Sequence, residues 1–149
     1  MPTPPGVSVG INLGITAAII FVIADLHNFI KIFNLIFSPE KEWGFLEAMR
    51  ERWHYIHYFG SIAAFVLIVI HVFLLGDFGS FLHWVLLAFT AVMVVTGFVM
   101  RFVTISSQLK QKLYKFHARL YMFIIFLALD IISHLISLKW FPYWNPYLK

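Results

Sequence analysis

The sequence predicts an all-α fold: an integral membrane four-helix bundle, with an interfacial amphipathic helix between helices one and two. Three observations point there. The chain is 61% hydrophobic and only 12% charged, where a water-soluble domain carries about a quarter charged residues. Its mean hydropathy is +0.85, more apolar surface than a small soluble core can absorb. And the apolar residues are gathered into four runs, each long enough for the roughly 20 residues that carry a helix across ~30 Å of hydrocarbon.

Those runs, at about 8–36, 55–76, 79–103 and 116–138, are helices one to four of a single membrane domain spanning 1–149. They show no period-2 alternation, and lipid requires every backbone polar group to be satisfied internally, so helices are preferred to barrel strands. The start Met1-Pro-Thr-Pro-Pro lacks a basic region ahead of the first run, so that run is expected to stay as a helix. Ser38-Pro39-Glu40 ends helix one. Trp43 to Trp53 sets Phe45, Leu46, Met49 and Trp53 against Glu47, Arg50 and Glu51, the pattern of a helix lying in the membrane interface. Gly76-Asp77-Phe78-Gly79-Ser80 makes a tight turn, and Thr104 to Lys115 reads as a polar loop.

Charge orients the bundle. Lys31, Lys41, Arg50, Arg52, Arg101, Lys110, Lys112, Lys115 and Arg119 fall on one side and only Lys139 and Lys149 on the other. The positive-inside rule then puts both termini outside a cell membrane, in keeping with a multi-pass protein of a prokaryotic cytoplasmic membrane. Trp140, Phe141, Tyr143, Trp144 and Tyr147 would form the outer aromatic belt. Because the basic residues border apolar runs and form no soluble basic face, the net charge of +4 does not imply nucleic acid.

Chemistry rests on histidine. The absence of cysteine removes thiolate metal sites, iron–sulfur clusters and covalently attached haem. Seven histidines are present, and two helices carry them in a repeat: Arg52-Trp53-His54 with His71 seventeen residues on, and Lys115-Phe116-His117 with His134 seventeen residues on. His57 is a second choice on helix two, fourteen residues before His71. Seventeen helical residues rise about 25 Å and fourteen about 21 Å, so the two histidines of one helix lie near opposite faces. Fourteen places bring two side chains within about 40° of one face, whereas seventeen leave them about 100° apart unless the helix is distorted. The angle favours His57 and the repeat favours His54; both registers stand.

Helices two and four run in the same direction, so His54 or His57 is level with His117, and His71 with His134. Two level pairs are what two six-coordinate haem irons need, one imidazole from each helix. Small residues at Gly60, Ala63, Ala64 and Ala118 would let a macrocycle approach the backbone, and 19% aromatic residues would line it. Arg52, Arg101, Lys115 and Arg119 could hold its carboxylates, Arg101 and Arg119 before the others; at the outer side His83 or Lys139 could serve. Asp130, four residues before His134, could hydrogen-bond a ligand imidazole or take a proton. Asp25, His27, Asn28 and Lys31 form a polar patch on helix one, preceded by Gly10 and Gly14 at close-packing spacing.

The stretches His54-Tyr-Ile-His57-Tyr-Phe-Gly60 to His71, and Thr96-Gly97-Phe98-Val99-Met100-Arg101 followed by His117 to His134, resemble the four-helix di-haem cytochromes b. That group includes the haem-bearing half of quinol:cytochrome c reductase cytochrome b and the cytochrome b subunits of membrane hydrogenases and formate dehydrogenases. The likeness covers helices two to four. It implies two non-covalent haem b groups, bis-histidine ligation, and electron exchange with a quinone or a redox partner subunit inside a larger complex. The fourteen residues from His57 to His71 match the family's habit; the seventeen from His117 to His134 are longer. A histidine-based metal-ion or proton transporter is the rival reading, and a plain membrane anchor leaves the intramembrane histidines unexplained.

Overall fold

A computed structural model describes the backbone of residues 5–41, 43–75 and 80–144, with side chains over 6–41, 43–75 and 80–137. Among the described residues six helices follow in order: α1 (Pro5–Ala24), α2 (Leu26–Phe37), α3 (Gly44–Leu75), α4 (Phe81–Phe102), α5 (Ser107–His117) and α6 (Leu120–Trp144). Among the described residues four helices are long and apolar enough to cross a membrane: Gly6–Ala24, Gly44–Leu75, Phe81–Phe102 and Leu120–Ser137. The chain is an all-α, multi-pass membrane bundle.

Three boundaries differ from the sequence expectation. Run one breaks at Asp25, which turns the chain (φ −98°, ψ 7°) between α1 and α2. The segment Trp43 to Trp53 is no separate interfacial element: from Gly44 it is the opening of the 32-residue α3, because nothing between Arg52 and His54 interrupts a helix. At ~1.5 Å per residue α3 is about 48 Å long, so its polar first turns project beyond the ~30 Å hydrocarbon layer. The short amphipathic helix between the first two spans is instead α2. The polar stretch 104–115, expected as a loop, is largely α5. Ser106 caps it by accepting from the Leu109 amide at 3.3 Å. A break at Ala118–Arg119 then separates α5 from α6.

Small residues set the helix approaches. Ala17, Ala24, Ala64 and Gly97 are buried, while Ile15, Ile19, Val66, Phe73, Val95, Ile131 and Leu135 turn outward, as expected where lipid replaces water on the outer face. α1 packs on α3, α3 on α4, and α4 on both α5 and α6. Phe21 meets Phe126 at 4.7 Å between ring centres and Phe29 meets Phe123 at 4.9 Å, closing α1 and α2 onto α6. Among the described residues α3 and α6 are not a closely packed pair; they face one another across the middle of the bundle.

Two polar staples hold the turn-rich side. The Trp53 indole donates to the Ile23 carbonyl at 2.8 Å, tying α3 to the last turn of α1. Buried Asn34 donates to the carbonyls of Ser38 and Lys41 at 3.1 and 3.0 Å and accepts from the Trp43 amide at 2.7 Å. One side chain thereby satisfies the α2–α3 connection, whose backbone groups would otherwise go unpaired.

Candidate functional site

The histidines meet in two pairs. His57 on α3 lies 6.3 Å from His117, at the end of α5, between ring centres, and His71 on α3 lies 6.5 Å from His134 on α6. Fourteen residues of α3 separate the pairs, about 21 Å along the helix. The break at Ala118–Arg119 is the distortion that a seventeen-residue interval needs if both of its histidines are to face α3.

Both separations suit one chemistry. A metal–imidazole nitrogen bond is about 2 Å, and the ring centre sits roughly 1 Å further back, so two imidazoles on opposite faces of one metal have centres about 6 Å apart. The ring planes are inclined by 75° in the first pair and 27° in the second.

The other nitrogen of each ring is already engaged. His71 Nδ1 bonds the Gly10 carbonyl at 2.8 Å, His117 Nδ1 the Thr96 hydroxyl at 3.0 Å, and His134 Nδ1 the Asp130 carbonyl at 2.8 Å. The Thr96 hydroxyl spends its own proton on the carbonyls of Val92 and Met93, at 2.8 and 3.0 Å, which leaves it to accept from His117. His57 Nδ1 lies 3.3 Å from Asp25 Oδ1; the contact is electrostatic, since this nitrogen has no well-aligned hydrogen bond. In His71, His117 and His134 an Nδ1–H hydrogen bond to an acceptor leaves the Nε2 lone pair to bind, the arrangement that fixes the tautomer of a metal ligand, and in His57 a carboxylate stands beside Nδ1.

Glycines shape the seats. A Cβ at Gly14 would lie 2.6 Å from both Cε1 and Nδ1 of His71, and one at Gly97 would lie 3.1 Å from Cε1 of His117. The Gly10–Gly14 spacing, read as helix packing, therefore also seats a histidine: Gly10 offers its carbonyl and Gly14 its missing side chain. Thr96-Gly97 does the same for His117.

The inner pair opens on a cavity of about 730 Å³, lined among others by Phe65, Thr90, Phe123 and Phe126. Such a volume is in the range of sites for sizeable organic ligands. Its polar lining includes His27, Asn28, Lys31, Arg50 and Arg119, and His27 Nε2 is buried without a partner.

The remaining candidates divide. His54 lines the same cavity but packs edge-on against Tyr58 at 4.6 Å, so the ring opposite His117 is that of His57. Arg119 lines the cavity and bonds the Lys115 carbonyl at 3.1 Å. Arg101 is exposed and lies over the Tyr55 ring at 5.9 Å. Gly60, expected beside a macrocycle, is turned to α1 instead, where a Cβ would lie 2.8 Å from that of Ala24; its place is the α1–α3 crossing. Of the other small residues, Ala64 and Ala118 line the cavity, while Ala63 is exposed. His83 serves the start of α4, accepting from the Ser80 amide at 3.1 Å, and lies 5.2 Å from the His134 ring. Asp130 holds His134 mainly by its backbone, with its carboxylate 3.3 Å away. The 76–79 turn, the side chains of Lys139 and the aromatic belt, and Tyr147 lie outside the described residues.

Fold and site together define a class: a multi-pass helical membrane protein with paired histidines across its centre. No family model, curated protein or solved structure matches the chain.

Proposed function

We propose that the chain is a di-haem b membrane cytochrome that transfers electrons between a quinone pool and a partner redox protein, as a subunit of a respiratory complex. The observation that carries this reading is the pair of histidine couples at bis-imidazole spacing, three of the four rings with Nδ1 bonded to an acceptor and the fourth beside a carboxylate. Haem bound there would supply one-electron exchange at iron.

The protein's own residues do the rest. His57 and His117 hold one site; His71 and His134 hold the other. Phe65, Phe123 and Phe126 supply flat apolar surfaces around the inner site against which a macrocycle could pack. His27, Lys31 and Arg119, which line the cavity, could receive the carboxylates of the macrocycle. Sites about 21 Å apart along α3 give the bundle one relay position in each half of the bilayer. The asymmetry of the lysines and arginines supports an orientation with α5 inside and both termini outside, in a prokaryotic cytoplasmic membrane.

An absorption spectrum of the purified protein tests the proposal. A Soret band with sharp reduced α-bands, and two haems per chain by pyridine haemochrome, are expected. A colourless protein that instead binds Zn²⁺ would replace the reading with metal transport. His57→Ala is expected to abolish the low-spin signal of the inner site while His54→Ala preserves it; the reverse pattern would move the ligand by one turn.

A further inference from the structure

We infer that Asp25 is a positioning residue for His57, and that its buried carboxylate lowers the reduction potential of the His57/His117 site; the inference rests on the haem reading above. Asp25 sits at the break between α1 and α2, and its side chain is 6% exposed. Asn28 Nδ2 donates to Asp25 Oδ1 at 2.7 Å, and the same oxygen lies 3.3 Å from His57 Nδ1. That nitrogen has no aligned hydrogen bond, so the carboxylate acts on the ring through its charge at close range.

An acid so little exposed beside a membrane span is costly unless a positive charge compensates it. No Lys or Arg forms an ion pair with Asp25 among the described residues. A bis-imidazole iron gains one positive charge on oxidation. A carboxylate behind one imidazole stabilises that oxidised state and strengthens the ring as a donor. Asn28 fixes the direction of the carboxylate.

The outer site lacks an equivalent. His71 and His134 both bond backbone carbonyls at 2.8 Å. The Asp130 side chain is 44% exposed and not enclosed against its imidazole as Asp25 is, and the bond its carbonyl makes survives replacement of the side chain. The two sites are thus electrostatically unequal although both are histidine pairs. Electron passage from the inner site to the outer one gains driving force from Asp25.

Redox titration of the full-length protein followed in the α-bands, comparing the wild type with Asp25→Asn and Asp130→Asn, is the test. Asp25→Asn should favour reduction of one of the two components about tenfold, ~59 mV for a one-electron couple, with the low-spin spectrum retained. Asp130→Asn should move the other component by less. If Asp25→Asn does not assemble, Asn28→Ala, which frees the carboxylate to turn away, should shift the same component upward by a smaller step. Haem bound with both components unmoved overturns the inference and leaves the proposed function standing; a wild-type protein with no Soret band overturns both.

Discussion

Replacing Gly14 by Ala probes the outer site through backbone space alone. The added Cβ would start 2.6 Å from Cε1 and Nδ1 of His71, whereas non-bonded carbons settle near 3.5 to 4 Å. The ring must therefore retreat by about 1 Å, half the length of the ~2 Å nitrogen–metal bond it is placed to make. Retreat also pulls Nδ1 away from the Gly10 carbonyl, now 2.8 Å distant. Overpacking of this kind costs about 1–3 kcal/mol, and loss of an orienting partner lowers metal-site affinity by about 10- to 100-fold. Pyridine haemochrome should fall from two haems per chain toward one, and one of the two low-spin resonance signals should vanish. Gly60→Ala is the control for α1–α3 packing: its Cβ would meet that of Ala24 at 2.8 Å and approach no histidine. If Gly14→Ala keeps two haems with unaltered spectra, the placement of His71 as a ligand is refuted.

Thr96→Val keeps the shape beside His117 but removes the acceptor 3.0 Å from its Nδ1, so the inner haem should be retained at least about tenfold more weakly in competition with an apo-globin; equal retention would count against the assigned tautomer. Asn34→Ala strips three hydrogen bonds from the α2–α3 connection, and with buried groups left unpaired at ~1–3 kcal/mol each a clear fall in thermal midpoint in detergent is expected. An unchanged midpoint would mean that water replaces the amide. Ser106→Ala should cost about 1 kcal/mol at the start of α5, visible as faster amide exchange confined to that helix. Because the chain has no cysteine, a single Lys110→Cys substitution gives a clean topology probe; labelling by an impermeant thiol reagent from outside intact cells would reverse the orientation argued from charge.

The four spans could be read directly because lipid demands about 20 apolar residues per crossing, and nothing else in a short chain produces such runs. Levels could be counted too, since the rise per residue places His57 with His117 and His71 with His134. Facing directions were harder. The fourteen-residue interval within α3 is nearly in phase, but the seventeen residues from His117 to His134 reach one side only because the helix breaks at Ala118–Arg119, where neither Pro nor Gly marks it. Asp25 breaks run one equally silently. The stretch 104–115 reads as a loop because it is polar, although Ser106 before a run of helix-forming residues is a capping signal. Gly60 invited placement beside a ligand; only tertiary packing turns it to Ala24. The acceptors behind the imidazoles come from α1, α4 and α6 as well as from the break at Asp25, and no local pattern announces which carbonyl or hydroxyl will stand there.

The gap between α3 and α6 bears on assembly as well as on chemistry. The helices around it touch mainly their neighbours along the ring, so the central slot contributes little cohesion of its own. A guest that fits the slot completes the interior, and its binding energy adds to the stability of the native state in proportion to the logarithm of its concentration over its dissociation constant. On the proposed haem reading, insertion into the bilayer and final tightening of the bundle would be separate events, the second waiting on supply of the guest.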